Sequence, residues 1–185
     1  SKVIYSDILG YDKVIYDSAG NFPDLGALPG GKNKFRRVLL QSSNKFSGYF
    51  SRIFGQSCIE LISAQSNPGK RTYQDRFWGD PGFIHLCFDI FEMDELRKYC
   101  TSRGFQFVVD SMNSRKGNSF DMGDAAGHFS YIEDPDGILI EFVESHKMPV
   151  SKKLGWYINL KKRNSYKPLP EWILKMLRFS KVKST

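Results

Sequence analysis

Tyr131-Ile132-Glu133-Asp134-Pro135-Asp136-Gly137-Ile138-Leu139-Ile140-Glu141-Phe142-Val143-Glu144 sets an Asp-Pro-Asp-Gly turn between two apolar runs and buries a carboxylate position in the second. Strand alternation sends Ile138, Ile140 and Phe142 to one face and Leu139, Glu141 and Val143 to the other. A lone Glu inside an apolar strand is expensive to bury unless it is paired, protonated or bound to a metal.

The pattern has an earlier counterpart. Gly55-Gln-Ser-Cys58-Ile-Glu60-Leu-Ile-Ser63 is again a turn Gly followed by an apolar strand with one Glu inside, with Cys58, Glu60 and Ile62 on one face and Ile59 and Leu61 opposite. Ahead of each strand the chain shows an amphipathic helix ended by glycine. Residues 3–9 align Ile4, Tyr5, Ile8 and Leu9 before Gly10, and residues 92–103 align Met93, Leu96, Tyr99 and Cys100 before Gly104. An apolar strand ending in Asp follows each helix, at 11–17 and at 105–110, and a polar, Gly-containing loop follows each of those, at 18–34 and 111–127. The chain therefore reads as a diverged duplication, helix–strand–strand–strand twice. The second copy has an extra leading strand, Gly82-Phe-Ile-His85-Leu-Cys87-Phe-Asp-Ile90, which turns Phe83, His85, Cys87 and Asp89 away from an aliphatic and aromatic face made by Ile84, Leu86, Phe88 and Ile90. Its equivalent in the first copy falls upstream of Ser1, and a start without Met or a signal-like apolar segment also suggests a chain that begins further upstream. Gly30-Gly31-Lys32 lacks the spacing of a phosphate loop and reads as a turn.

Composition narrows the class. With 41% hydrophobic and 15% aromatic residues, the 185-residue chain can bury a core, and it has no uninterrupted apolar run of membrane-spanning length. Three cysteines, with no Cys-x-x-Cys pair, suggest neither a disulfide framework nor a structural zinc site, and a cytoplasmic setting is expected. The formal charge of +7 is unevenly spread: residues 145–185 hold eleven Lys or Arg against one acid, Glu171, which leaves residues 1–144 at −3. A basic tail on a mildly acidic body is not the footprint of a nucleic-acid-binding domain. The expected partners are a small-molecule substrate and, as a homodimer, a second copy of the chain.

Two Glu at equivalent repeat positions and a His on a similarly directed face call for a shared explanation. A divalent metal (Zn, Ni, Mn or Fe) supplies one, because imidazole nitrogen and carboxylate oxygen suit such cations. The candidate metal residues are His85, Glu141 and Glu60, all expected on one concave surface. Glu141 and Glu60 are also the candidates for moving a proton.

The segment Gly82-Phe-Ile-His85-Leu-Cys-Phe, the helix ending at Gly104, and Tyr131-Ile-Glu-Asp134-Pro135-Asp136-Gly137-Ile-Leu-Ile-Glu141 together resemble the vicinal oxygen chelate superfamily, which includes glyoxalase I, bleomycin-resistance proteins and extradiol dioxygenases. The resemblance is strong over 82–144 and fainter over 1–63. It implies an α+β fold of paired βαβββ modules in a cupped, partly open barrel, divided here into 1–66, a linker at 67–80, a second module at 81–146 and a C-terminal extension at 147–185. It also implies that His85 and Glu141 are the second module's metal ligands and Glu60 the first module's last-strand ligand, the fourth position lying upstream of Ser1. The activity implied is that of a glyoxalase-like lyase or isomerase, acting through a metal-stabilised enediolate on a substrate with vicinal oxygens. The alternatives are a ring-cleaving dioxygenase and a non-catalytic small-molecule-binding protein of the bleomycin-resistance kind.

His128, before the Asp-Pro-Asp-Gly turn, reads as a loop-rim histidine or a group supporting the ligands, and His146 is given no role. In the extension, Leu154, Trp156, Ile158 and Leu160 alternate, and Pro170 precedes a helical stripe of Trp172, Ile173, Met176 and Leu177. The expectation is that this stripe docks on the body, with Trp156, Trp172 and Met176 largely buried.

Overall fold

The computed structural model describes residues 3–45, 47–66, 69–114, 120–121, 126–151 and 154–177. Two units divide the chain. One comprises residues 1–45, 56–80 and 135–137; the other comprises residues 46–55, 81–134 and 138–185.

In the first unit, the apolar runs at Lys13–Gly20, Phe35–Gln41 and Cys58–Ala64 become β1, β2 and β3, an antiparallel sheet in the order β1-β2-β3. Its leading helix is shorter than the sequence suggests and is π-helical over Val3–Ile8, with Ile4 and Tyr5 buried. Leu9 N–H donates to Ile4 O and Tyr11 N–H to Tyr5 O, and Gly10 takes the positive φ of +75° that ends the helix. The loop expected at 18–34 starts later, because β1 runs to Gly20, and it contains a short 3-10 turn at Pro23–Leu25.

The second unit holds β4 (His85–Asp89), α1 (Met93–Ser102), β5 (Val109–Asp110), a four-residue helix α2 (Ser111–Ser114), β6 (Phe120–Asp121), β7 (Ala126–Glu133), β8 (Leu139–Ser151), β9 (Trp156–Asn159) and α3 (Glu171–Leu177). Its sheet runs β4-β8-β7-β5, with β6 paired to β7 and β9 to β8. The repeat is visible in this order, since β5, β7 and β8 correspond to β1, β2 and β3. The added strand β4 lies parallel to β8, and every other pairing in the two sheets is antiparallel. The strand expected at 105–110 contracts to Val109–Asp110, and that expected at 82–90 to His85–Asp89. Part of the loop at 111–127 lies outside the described residues.

Face parity follows from the alternation. Ile140 and Phe142 of β8 and Ser130 and Ile132 of β7 are buried on the side of α1, where the Ser130 hydroxyl meets the sulfur of buried Met93 at 3.1 Å. The odd-numbered residues of β7 and β8 around them, among them Tyr131 and Glu141, face away from the helix. The aliphatic face is worth roughly 1.5–3 kcal/mol per fully buried large side chain, and α1 is its lid.

The extension belongs to the second unit, but not in the way expected. Leu160, Leu169 and Ile173 are buried with Tyr49, and Ile158, Met148 and Leu174 pack around them. The Tyr49 hydroxyl donates to Leu160 O at 2.7 Å, and Leu169 N–H to Tyr49 O at 2.9 Å. Trp156 and Trp172, expected in that core, are 43% and 53% exposed, and their rings stack on each other at 6.0 Å. The small aliphatic residues fill the space available, and the two indoles are left at its margin.

Candidate functional site

Glu141 points away from α1 and is held from two sides. The parallel register of β4 and β8 sets Cys87 opposite Glu141 and His85 opposite Leu139. Because His85 and Cys87 share a face, the imidazole reaches along the strand, and its Nε2 lies 2.9 Å from Glu141 Oε2. From the other side, antiparallel pairing puts Tyr131 directly across from Glu141, and its phenol donates to Oε1 at 2.6 Å. The rings of His85 and Tyr131 meet edge-on at 5.5 Å, which fixes both around the carboxylate. The side chains of His85 and Glu141 remain 26% and 15% exposed.

In the first unit Glu60 has the same kind of surroundings with one change of chemistry. The Tyr16 phenol donates to Glu60 Oε1, and Tyr16 lies in the cross-strand row through Leu39. The basic partner is Arg37, whose Nε and a terminal nitrogen donate to the two oxygens of Glu60 at 2.8 and 3.1 Å. Arg37 also pairs with Asp24 at 2.6 Å and lies over the ring of Phe22. Each repeat thus gives its strand Glu a phenol and a base. The base in the first is a guanidinium and in the second an imidazole.

Cys87 completes the second cluster. The residue is exposed, and its thiol lies beside Glu141; partial desolvation first, then the Glu141 carboxylate, pushes it up to about 12. It is a neutral thiol at physiological pH and not a nucleophile.

A different group of ionisable residues lies on the α1 side of the sheet. Glu144 accepts the backbone N–H groups of Glu92 and Met93 at 3.2 and 3.3 Å, and so caps the first turn of α1. Burial pushes its carboxyl up, but His146 and those N–H groups outweigh burial and hold it below the ordinary value. His146 Nε2 is 3.6 Å from Glu144, and the His128 ring abuts that of His146 at 4.6 Å. Both histidines are buried, so the reading of His128 as a loop-rim residue is corrected: it points to the packed side of β7.

The family model described as Glyoxalase/Bleomycin resistance protein/Dioxygenase superfamily matches residues 42–142, more than half of the chain. The chain belongs to this superfamily. No curated protein matches it. Among solved structures, a glyoxalase family protein from Bacillus cereus aligns with a TM-score of 0.52 and 16% identity over 77% of this chain and 86% of its own. A glyoxalase family protein from Enterococcus faecalis aligns with a TM-score of 0.46 and 17% identity over 77% and 85%. The Bacillus cereus likeness shows a shared α+β glyoxalase fold with open sheets. Among the described residues, no helix is long and apolar enough to cross a membrane.

Divalent metals are common in the glyoxalase superfamily, and the donor set offers a test. His85 Nε2 and Glu141 Oε2 bring one nitrogen and one oxygen together on neighbouring strands, which suits a borderline cation. Glu60 is engaged by Arg37, and that ion pair must open before its carboxylate can ligate anything. Among the described residues, no three His, Cys, Asp or Glu side chains gather to hold a metal ion. Sequence reasoning missed Tyr131, Tyr16 and Arg37, and counting outward from the Asp-Pro-Asp-Gly turn would have set Ile140, not Glu141, opposite Tyr131.

Proposed function

We propose that the chain is a glyoxalase-like lyase or isomerase, acting on a small molecule with two neighbouring oxygens by moving a proton on the carbon beside them. The observation that carries this reading is the Glu141 carboxylate held on an open sheet face between an imidazole at 2.9 Å and a phenol at 2.6 Å. The Tyr131 hydroxyl holds Oε1 and His85 Nε2 holds Oε2, so the carboxylate takes the proton from substrate carbon as the contact at Oε2 gives way. His85, at Oε2, supports the negative charge before transfer and yields as the proton arrives. With its Nε2 proton gone, His85 would instead join Glu141 in holding a divalent cation, whose Lewis acidity would polarise the substrate oxygens and acidify the adjacent C–H bond. Glu60, bound to Arg37, is assigned to holding the first unit's sheet together unless that pair opens.

A second reading, a small-molecule-binding protein without turnover, is favoured by the Arg37–Glu60 pair, which removes one carboxylate from chemistry. One experiment separates the two. The protein is incubated in heavy water with hemithioacetals of 2-oxoaldehydes, with and without Ni or Zn, and deuterium entry at the C–H position is followed by NMR. Exchange that Glu141→Gln abolishes supports the enzyme. Saturable binding without exchange supports the binding protein, and oxygen uptake with a catechol would move the reading to a ring-cleaving dioxygenase.

A further inference from the structure

The strongest feature that the site does not use is the outer surface of the C-terminal extension. Along β9, Trp156 and Ile158 share a face; Ile158 packs into the cluster around Leu160 and Leu169, and Trp156 runs off the margin of that cluster. On α3, Ile173 is buried and Trp172 turns outward. The two indoles meet there, nearly parallel at 25°, each about half exposed. Leu154, in the turn before β9, is 79% exposed, and Tyr166 67%. Stacking orders both indoles in the folded chain, so little rotamer freedom remains to be lost when their outer surfaces are covered.

The charge of the extension says what covers it. Residues 145–185 hold eleven basic side chains and one acid. Lys161, Lys162, Arg163 and Lys167 are all exposed, and the single acid, Glu171, is paired with Lys175 at 2.8 Å. A second copy of the same surface would bring like charge against like. Single-stranded nucleic acid stacks its bases on open aromatic faces, but these indoles cover each other's inner faces, and Leu154 offers a base nothing. Indoles at the level of lipid headgroups, an aliphatic side chain beyond them and lysines beside anionic phosphates are the arrangement of an interfacial anchor. We propose that Trp156, Trp172 and Leu154, with the exposed bases Lys161, Lys162, Arg163 and Lys167, dock this protein on the surface of an anionic lipid bilayer. The contact is peripheral and reversible, and it weakens as salt screens the lysines.

The test is co-sedimentation of the full chain with large vesicles of phosphatidylcholine, with and without phosphatidylglycerol. Binding to the anionic vesicles and not to the neutral ones is expected, with a loss of about tenfold or more in partitioning for Trp156→Ser/Trp172→Ser. On the unaltered protein, lipids brominated along the acyl chain should quench tryptophan fluorescence, and this measurement holds even if the double variant fails to fold. Failure to bind anionic vesicles, or binding with no quenching by brominated lipid, overturns the proposal. So does duplex DNA displacing the protein from the vesicles at equal phosphate concentration, which would make the surface a general polyanion site.

Discussion

His85 and Glu141 meet across β4 and β8 although they are not register partners: Cys87 stands opposite Glu141, and the imidazole leans along the strand to reach Oε2 at 2.9 Å. The pair therefore depends on the orientation of one ring, which Tyr131 braces edge-on.

Tyr131→Phe keeps the ring and removes the hydrogen bond to Oε1. The carboxylate then loses its orientation, and kcat should fall by about ten- to a hundredfold with KM little changed. Steady-state rates on a substrate found by deuterium exchange would check this. An equal fall in affinity and no fall in kcat would assign Tyr131 to substrate binding instead.

Arg37→Met removes the fixed cation from a part-buried carboxylate in the first unit. Glu60 keeps only its phenol donor, so stability should drop by about 1–3 kcal/mol in a denaturant titration. Proton exchange at the His85–Glu141 site should persist in the folded protein. Should the same variant instead gain metal affinity by calorimetry, Glu60 is a latent ligand that Arg37 suppresses.

Cys87, with its thiol near 12, should resist alkylation. At pH 8 only about one molecule in ten thousand carries the thiolate. Mass spectrometry after iodoacetamide treatment of the native protein should leave this cysteine unmodified. Glu141→Gln should speed its modification by removing the neighbouring charge, and rapid labelling of the unaltered protein would contradict the raised thiol.

Acid should destabilise the second unit in two stages. Burial first, then the charge of His146, holds His128 below its ordinary 6.5, so below that pH the unfolded chain takes up this proton before the folded one and stability is lost. Glu144 is likewise held below its ordinary 4.5, and a further loss follows under that pH. Thermal melts across a buffer series should show Tm declining from about pH 6.5 downward. His128→Gln should flatten the upper stage and leave the lower.

Much of this was legible from the residues. Alternation around Glu141 and His85 gave the correct faces, because Ile140 and Phe142 can be buried against a helix only if Glu141 is turned away. Gly10 and Gly104 marked helix ends through their positive φ. Tyr131 could not be found from the turn, since counting outward from Asp134–Gly137 sets Ile140 opposite Tyr131, whereas the register is centred on Asp136 and sets Glu141 there. Arg37 could not be found either. The connection between β2 and β3 spans residues 42–57 without a defining turn, so nothing in the sequence sets Arg37 diagonal to Glu60. The error over Trp156 and Trp172 has a different origin: helical and strand spacing identify an apolar stripe but not how much of it the neighbouring core has room to cover.

The cap that Glu144 places on α1 ties the helix to a strand far along the chain, 51 residues beyond Met93. A helix of ten residues is marginal on its own in water, and this one has a left-handed residue, Glu92, at the capping position and no side-chain cap from its own neighbourhood. During synthesis α1 thus leaves the ribosome well before the carboxylate that completes it. Its first turn stays frayed until β8 has emerged and paired with β7, so the helix and the strand that carries Glu141 acquire their final order in one late, cooperative step.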